Sequence, residues 1–462
     1  MRSREGAAIP RWIVPLVVVL AVIGVVAFFG LRAGPAPQVV IEPGAKIIGR
    51  STPITVRVTE PQRGLTAVKV ELVQGEMVKQ IGEASYQAPP AWAPGRTGKT
   101  SDEIRVTVGK EAVPDLKPGK ATVRVTASGT GALLRGPTPV TTQVDLPVQL
   151  TPPSLQVLSI RTYVAQGGVE AVVYRVGDTA TRDGVRVGPR LYPGYALPGG
   201  SAQDRFALFA VPYDMDDASG VRLVAEDGAG NEAQARFIDQ FFPKPLRKDK
   251  IQLNDAFLEK VTSEILAQTP ELTNKGNALD NYLEINRDLR KKNQAFLEQL
   301  AGKSEPAFLW REPFLPMINT AIKAHFAERR SYIYQDREVD QQDHLGLDMA
   351  SVRAAPVPAS NDGVVVFAGY LGIYGNCVVL DHGYGLQTLY GHLSSVEVKA
   401  GDKVTRGQPL GRSGATGLAG GDHLHFAVLL QGLPVNPIEW FDAKWLHDRL
   451  KLKLGAALPF AG

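Results

Sequence analysis

The chain has 462 residues, of which 44% are hydrophobic and 21% are charged. This composition is close to that of globular proteins and excludes a disordered chain or a multi-pass membrane protein, while the length predicts several domains. The 51 basic and 47 acidic residues give a formal charge of only +4, which argues against a nucleic-acid partner. The single cysteine, Cys377, excludes internal disulfides and thiolate-rich zinc sites.

Residues 12–31 are an uncharged apolar run, and about 20 such residues can span a membrane as a helix. Arg2, Arg4 and Arg11 precede the run, so the positive-inside rule predicts that the short tail over 1–11 stays in the cytoplasm. The predicted location is the cytoplasmic membrane, crossed once, with the C-terminal domains in the periplasm or outside the cell. A cleaved signal peptide is the alternative, because small residues follow the run.

The predicted fold is multidomain and mainly β. Residues 38–150 alternate apolar and polar side chains with a period of two, as over 54–58 and 68–72, which predicts a β-sandwich module. A second strand-rich module follows over 152–242. Its turn at 226–231 resembles the closing hairpin of bacterial immunoglobulin-like domains. We therefore expect two immunoglobulin-like β modules after the transmembrane helix.

Residues 250–303 form a predicted helical segment, because apolar residues recur there at helical intervals among Leu, Glu, Lys, Asn and Gln. Two helices joined near 270–277 fit the pattern. Asn286 is the one polar interruption of the second apolar stripe. Glycine and β-branched residues then return over 318–445, which predicts a C-terminal antiparallel β domain with short hairpins.

His344 and Asp348 lie four positions apart in this last domain. In an extended strand their Cα atoms would be about 13 Å apart, which is too far for both side chains to reach one ion. The chain must therefore bend between them, and Gly346 allows a bend at low steric cost. A histidine with a carboxylate is a ligand pair that zinc accepts.

His423 and His425 lie two positions apart at the start of an apolar run that reads as a strand. Their side chains then share one face about 6.6 Å apart, so one ring can bind a metal while the other handles a proton. His392 follows the strand-like residues 386–389 and adds a third imidazole at a strand end. Each piece alone is a weak signal, but together in one Gly-rich β domain they indicate a metal site.

These motifs resemble those of the M23 (lysostaphin-like) family of zinc metallopeptidases. The resemblance covers about residues 318–445 and includes the stretch 326–329 before the site and 413–417 before the histidine pair. Where the family commonly has Phe-Gly, this chain has Phe326-Ala327. That departure lies outside the metal-binding set.

The resemblance implies a role for each motif residue. It implies that His344, Asp348 and His425 bind Zn²⁺, and that His392 and His423 are catalytic and flank the reacting carbonyl. Three protein ligands leave a fourth position for water, as in catalytic zinc sites. The remaining histidines, His325 on a predicted helix, His382 in a predicted turn and His447 past the domain, are not expected to bind zinc.

The resemblance also implies a function: a zinc-dependent endopeptidase that hydrolyses peptide bonds in peptidoglycan crosslinks or stems during cell-wall remodelling. Expected partners are peptidoglycan peptides and the membrane, with cell-envelope proteins as further candidates. The alternative is a non-catalytic scaffold that binds the wall and activates other hydrolases. Candidate groove loops are 370–375 and 413–422, and the predicted helices are a candidate cover for the groove.

Overall fold

The computed structural model describes residues 12–30, 35–88, 97–131 and 139–460. The predicted cytoplasmic tail over 1–11 lies outside these residues, and so does Leu31 at the end of the predicted span. The first element is helix α1 (Ile13–Gly30). Within the described ranges, no helix has both the length and the apolar character needed to cross a membrane. The predicted transmembrane helix is therefore not confirmed.

Contacts between residues divide the chain into two compact units. The first comprises residues up to 153 together with the turn 226–232, and the second comprises 154–225 and the chain from 233 onward. The second unit thus contains most of the second β module, the helical segment and the C-terminal domain. The predicted domain ranges are finer than this division and stay predictions.

The first unit is built from antiparallel strands in two sheets, with the orders β1-β2-β5 and β4-β3-β6-β7. The strands are β1 (Gln38–Pro43), β2 (Thr52–Thr59), β3 (Leu65–Gln74), β4 (Met77–Ser85), β5 (Ser101–Val108), β6 (Gly119–Gly129) and β7 (Pro139–Val148). Alternate side chains of β2 are buried, and they meet those of β3 and β6 in one core that includes Ile54, Val70 and Val125. The period-two pattern therefore predicted the strands, whereas the immunoglobulin-like assignment is not confirmed.

The second β module forms two four-stranded sheets, with the orders β13-β14-β10-β8 and β12-β11-β15-β16, and a two-stranded sheet of β17 and β9. Its strands are β8 (Leu155–Val157), β9 (Tyr163–Ala165), β10 (Val169–Val176), β11 (Ala180–Val187), β12 (Arg190–Pro193), β13 (Tyr195–Ala196), β14 (Asp204–Ala210), β15 (Arg222–Asp227), β16 (Glu232–Ala235) and β17 (Gln240–Phe242). The hairpin predicted around residues 226–231 joins β15 to β16.

The helical segment begins with a strand. Its elements are β18 (Lys248–Leu253), α2 (Asp255–Gln268), α3 (Ala278–Glu284), a π-helical turn (Ile285–Leu289) and α4 (Arg290–Ala301). The side chains of Asn254 and Asn277 cap α2 and α3 by accepting backbone N–H bonds. Helices thus form where the apolar stripes predict them, and the second is interrupted by the π-helical turn.

The C-terminal domain is an antiparallel sheet with the order β19-β22-β30-β26-β25-β24-β28 and β31 paired to β30. Its strands are β19 (Ala321–Ala324), β20 (Glu328–Tyr334), β21 (Arg337–His344), β22 (Leu347–Ala350), β23 (Pro356–Pro358), β24 (Gly363–Tyr370), β25 (Asn376–Asp381), β26 (Leu386–Leu393), β27 (Ser395–Val396), β28 (Lys403–Val404), β29 (Pro409–Arg412), β30 (Leu424–Leu430) and β31 (Leu433–Val435). The short helices α5 (Ile438–Phe441), α6 (Ala443–Leu446) and α7 (Leu452–Leu454) follow.

The helical segment is attached to this domain by backbone pairing. Strand β18 pairs in parallel with β20, from Lys248 opposite Arg329 to Leu253 opposite Tyr334. A three-stranded sheet β18-β20-β21 results. Because β21 ends at His344, the helices start from a strand in the same sheet as the first predicted zinc ligand.

One local prediction is wrong. His325 was expected on a helix, but the four residues before it form strand β19, which pairs antiparallel with β22, as in Ala321 opposite Ala350. Sheet pairing overrides the helical preference of this alanine-containing stretch.

Ala327, where the M23 family commonly has glycine, adopts a left-handed backbone with a φ of 60°. A side chain in this region costs roughly 1–2 kcal/mol, which glycine avoids at an entropic cost of roughly 0.5–1 kcal/mol. We therefore expect Ala327→Gly to raise the free energy of unfolding by about 0.5–1 kcal/mol. Urea denaturation followed by tryptophan fluorescence measures the change.

The matched control is Ala321→Gly in the exposed strand β19, where φ is not positive. Glycine in a strand loses backbone entropy without relieving strain, so this variant should be less stable by about 0.5–1 kcal/mol. Equal destabilisation of both variants would show that Ala327 is not strained.

Candidate metal centre

The centre is built on three adjacent strands, because β30 lies between β22 and β26. On one side Asp348 pairs directly with His425, and on the other side Gly391 pairs with the same residue. Side chains directly opposite each other in an antiparallel pair project from the same face. Strand register therefore brings Asp348 and His425 together and leaves His392 as the next residue on β26.

The chain leaves β21 at His344 and enters β22 at Leu347, so the predicted break between the two ligand candidates is present. The role of Gly346 differs from the expected one, since its φ is not positive. A Cβ at this position would lie 2.5 Å from Cε1 and 2.6 Å from Nε2 of His425. Glycine is needed here to make room for the imidazole ring.

Three ligand atoms converge at this point. Nε2 of His344 lies 2.9 Å from Oδ1 of Asp348 and 3.1 Å from Nδ1 of His425, and the last two atoms are 3.0 Å apart. A tetrahedral zinc ion with ligand distances of about 2.0–2.1 Å separates its ligand atoms by about 3.3 Å. All three residues are buried. The structure thus brings together the three residues predicted to bind zinc, in a spacing that fits the ion.

The hydrogen bonding of His344 also fits a metal. Its Nδ1 donates to the backbone carbonyl of His325 at 2.9 Å, and because a carbonyl only accepts, the proton must be on Nδ1. In the neutral ring Nε2 then carries a lone pair that faces the carboxylate oxygen of Asp348. Two acceptors at this distance repel unless a cation lies between them. A carbonyl that fixes the other ring nitrogen is also the usual outer partner of a metal-binding histidine.

Asp348 carries a full negative charge in this buried place. Burial opposes ionisation, but the charge that His344 carries when it is protonated, together with hydrogen bonds from His344, His423 and His425, outweighs burial and holds the carboxyl pKa well below its usual value. The second oxygen, Oδ2, accepts a hydrogen bond of 3.1 Å from Arg330 Nη2. Arg330 thereby orients the carboxylate so that Oδ1 faces the two histidines.

His425 is neutral at physiological pH. Burial lowers its pKa to about 4, although Asp348 pulls in the opposite direction. Since a metal binds the neutral imidazole, the ring is already in the form that a metal requires. The ring of Tyr374 lies beside it, with 5.6 Å between the ring centroids.

His392 and His423 stand next to each other at the edge of the donor set, with ring centroids 4.8 Å apart. Nδ1 of His392 donates to the carbonyl of Thr416 at 2.8 Å, and Nδ1 of His423 donates to that of Gly421 at 2.8 Å. Both rings therefore present Nε2 for other contacts, and in His423 this atom lies 3.5 Å from Asp348 Oδ1.

The two rings differ in their electrostatic surroundings. Burial, followed by the neighbouring rings of His423 and His425, lowers the pKa of His392. Burial also acts to lower the pKa of His423, but the hydrogen bond and charge of Asp348 outweigh it, and the pKa is raised. His392 also has a φ of 63°, a strained backbone that is often found at functional sites.

The other histidines stay outside the centre. His382 is fully buried, with its ring nitrogens 2.7 Å from the carbonyl of Asp362 and 2.8 Å from Oγ1 of Thr388. His447 lies beside Asp448 on the surface. His344, Asp348 and His425 are the one group of three potential metal ligands in the described part of the chain.

The cavity above the centre has a volume of about 490 Å³ and includes residues that the motifs did not indicate. Arg330 and Tyr374 line it, and so do Phe257, Tyr282 and Arg290 from the helical segment. Arg330 directly follows the family-like stretch 326–329, so only its position beside the motif could have drawn attention to it. The helical residues gave no chemical signal except the polar Asn286 within an apolar stripe.

The helices hold both candidate groove loops by direct hydrogen bonds. Glu264 of α2 accepts from Tyr370 Oη at 3.2 Å and from the backbone N–H of Gly417 at 2.6 Å. Asn293 of α4 accepts from the N–H of Ile373 at 3.0 Å. The helical segment therefore fixes the walls of the cavity, in addition to lining it.

The chain is similar in sequence to known proteins over its C-terminal part. Residues 342–437 match the model of Peptidase family M23. The peptidoglycan DD-endopeptidase ShyA of Vibrio cholerae is 34% identical over 181 residues, which cover 39% of either chain. The DD-carboxypeptidase/endopeptidase Mpg of Neisseria meningitidis is 39% identical over 123 residues, or 27% of either chain. Among solved structures, the catalytic domain of lysostaphin from Staphylococcus simulans is 27% identical, with a TM-score of 0.21 over 31% of this chain and 96% of that one.

The matched segments span less than half the length of both curated relatives. The region that matches the family model includes every member of the donor set, His344, Asp348 and His425. The donor set and the family match together confirm the prediction of a Zn²⁺ cofactor. Residues 342–437, which contain the predicted zinc ligands, are thus the part of this chain that matches peptidase family M23.

Proposed function

We propose that the chain is a zinc-dependent endopeptidase that hydrolyses peptide bonds in peptidoglycan crosslinks or stems. The observation that carries this proposal is the convergence of three buried ligand atoms beside two further imidazoles. Three protein ligands, His344, Asp348 and His425, leave a fourth position for water, which distinguishes a catalytic zinc site from a structural one. The names of the relatives support peptidoglycan as the substrate, because ShyA is a peptidoglycan DD-endopeptidase.

The steps of peptide-bond hydrolysis can be assigned to particular residues of the site. When bound, zinc lowers the pKa of a water molecule to about 7 and polarises the scissile carbonyl. His392 and His423 are each fixed through Nδ1 by a backbone carbonyl, so Nε2 is the atom of each ring that can exchange a proton with the attacking water or the leaving amine. Arg330 keeps the Asp348 carboxylate turned toward the ligand position. The bound peptide would lie between the loops 370–375 and 413–422.

The proposed activity is tested with the full-length protein and purified peptidoglycan. We expect soluble cleavage products with new amino and carboxyl termini in muropeptide analysis, because hydrolysis of a peptide bond releases both. A chelator should abolish the products and added Zn²⁺ should restore them. Binding to the wall without products would contradict an enzyme and favour the non-catalytic scaffold.

Substitutions should separate metal binding from proton transfer. Asp348→Ala or His425→Ala leaves two protein ligands, so we expect loss of bound zinc and of hydrolysis. His392→Ala or His423→Ala should retain zinc but slow turnover by on the order of 10² to 10⁴, the usual contribution of a positioned acid or base. Zinc content and crosslink cleavage are measured for all four variants.

His382→Ala is the control for this series, because this buried imidazole has its own partners and does not contact the ligand atoms. It should retain zinc. If His423→Ala loses zinc while His425→Ala retains it, the roles of the two histidines are reversed.

We further propose that the C-terminal domain acts outside the cytoplasm, in the periplasm or beyond. The arginines before the apolar run and the location of the proposed substrate support this, and the membrane anchor itself stays a prediction. A reporter that is active only after export, fused after residue 462, should be active. Activity of a cytoplasm-only reporter at the same position would contradict both the location and access to the wall.

A further inference from the structure

Arg290 is a guanidinium held in place at the cavity of the metal centre. Its Nε donates to the backbone carbonyl of Asn286 at 3.1 Å, and its Nη2 donates to the side-chain oxygen of the same residue at 2.6 Å. Asn286 is fully buried and in turn donates to Asp340 at 2.8 Å. Two of the three guanidinium nitrogens are thus used for positioning, and the side chain lines the cavity.

Arg290 differs from Arg330, which also lines this cavity, because it has no carboxylate partner among the described residues. Arg330 is paired with Asp348 at 3.1 Å, and Arg329 is paired with Asp343 at 3.0 Å. Both Asp348 and Asp343, which also line the cavity, are therefore already neutralised by an arginine. Arg290 is left as a half-buried positive charge that forms no ion pair with any residue the structure describes.

Tyr282 supplies a second, independent observation. Its side chain is fully buried and lines the same cavity, yet its hydroxyl has no hydrogen-bond partner. A buried hydroxyl without a partner is costly, by about 1–3 kcal/mol in mutational data, and is rare in folded proteins. The aromatic rings of Phe257 and Tyr332 pack against the ring of Tyr282, with centroids 6.2 and 5.9 Å away, and offer its hydroxyl no acceptor there.

Tyr282 and Arg290 belong to consecutive helices of the helical segment, α3 and α4. They flank the π-helical turn Ile285–Leu289, and such a turn is frequent at functional sites because it redirects the side chains that follow. Both residues belong to the helical segment, but they line the same cavity as the three ligand candidates. The guanidinium of Arg290 and the hydroxyl of Tyr282 can both donate hydrogen bonds, so together they can bind an anion.

We propose that Arg290 and Tyr282 form a subsite that binds a carboxylate of the substrate peptide beside the metal centre. This inference rests on the proposed peptidase function and deepens it, because it assigns substrate selection to the helical segment. An arginine and a hydroxyl both donate, and a carboxylate accepts from both. The subsite would select peptides with a free carboxylate near the scissile bond and would place them in one orientation.

The carboxylate can come from the C-terminus of a stem peptide or from a side chain, and amidation distinguishes the two sources. The probes are synthetic crosslinked stem-peptide dimers with all carboxylates free, with only the C-terminal one amidated, or with only the side-chain one amidated. For the wild-type holoenzyme, one of the two amidations should lower kcat/KM by about 10- to 100-fold, mainly through KM. The amidation that has this effect identifies the source.

Variants then assign the effect to the subsite. Arg290→Gln should lower kcat/KM for the free carboxylate to the value for the amidated peptide and leave the latter unchanged. Arg290→Lys should retain part of the preference, because a charge remains. Tyr282→Phe should weaken the preference while the melting temperature stays the same or rises, since the removed hydroxyl has no partner in the protein.

Lys292→Gln is the matched control, because it removes a positive charge from an exposed position on the same helix. It should leave the kinetics with every peptide unchanged. Peptide cleavage with equal kcat/KM for free and amidated dimers would overturn the subsite while the proposed peptidase function stands. If no dimer is cleaved, the proposed function fails, and the subsite is tested by binding of the same dimers to the full-length protein. Tighter binding of the dimer with the free carboxylate, lost in Arg290→Gln, would support the subsite. Equal binding of free and amidated dimers would overturn the subsite.

Discussion

The metal centre depends on one feature of the sheet, the register of β30 between β22 and β26. His425 pairs with Asp348 on one side and with Gly391 on the other. A slip of one residue would turn every side chain of β30 to the opposite face, and His425 would then point away from Asp348. Backbone pairing between the strands therefore determines which side chains face the metal position. Gly346 completes this arrangement, because only a residue without Cβ leaves room for the His425 ring.

Electrostatics sets the second requirement, which is to keep an ionised carboxylate inside the protein. Asp348 is buried, and each of its oxygens has its own partner: Oδ1 faces His344 and His425, while Oδ2 accepts from Arg330. Removing one partner of a buried pair usually costs about 3–5 kcal/mol, because the remaining charge stays desolvated. Arg330 is for this reason part of the site even though it does not reach the ligand position. Its place on β20, next to the hairpin partner β21 that ends in His344, couples the carboxylate to the same sheet.

The sequence predicted the chemistry of the site better than its surroundings. The interval of two between His423 and His425 was informative because strand geometry puts both side chains on one face. The interval of four between His344 and Asp348 was informative because it required a break in the strand, and the chain does leave β21 at His344 before it enters β22. The outer contacts were not predictable in this way. His325 acts through its backbone carbonyl, which every residue type possesses, and the strand that precedes it was mistaken for a helix. Pairing between distant strands decides both features, and no local pattern encodes it.

In the helical segment, too, the sequence predicted the elements but not their contacts with distant residues. Its helices were visible as apolar stripes, and Asn286 stood out as a polar residue within one stripe. The reason lies 54 positions away in sequence, at Asp340, to which Asn286 donates. In the folded protein the buried amide of Asn286 donates to Asp340 on β21 and accepts from Arg290, so both of its polar groups have partners. The helices thus line one side of the cavity, and they follow strand β18, which pairs with β20 of the C-terminal domain. The polar residue inside the apolar stripe, Asn286, lies where the helical segment contacts that domain.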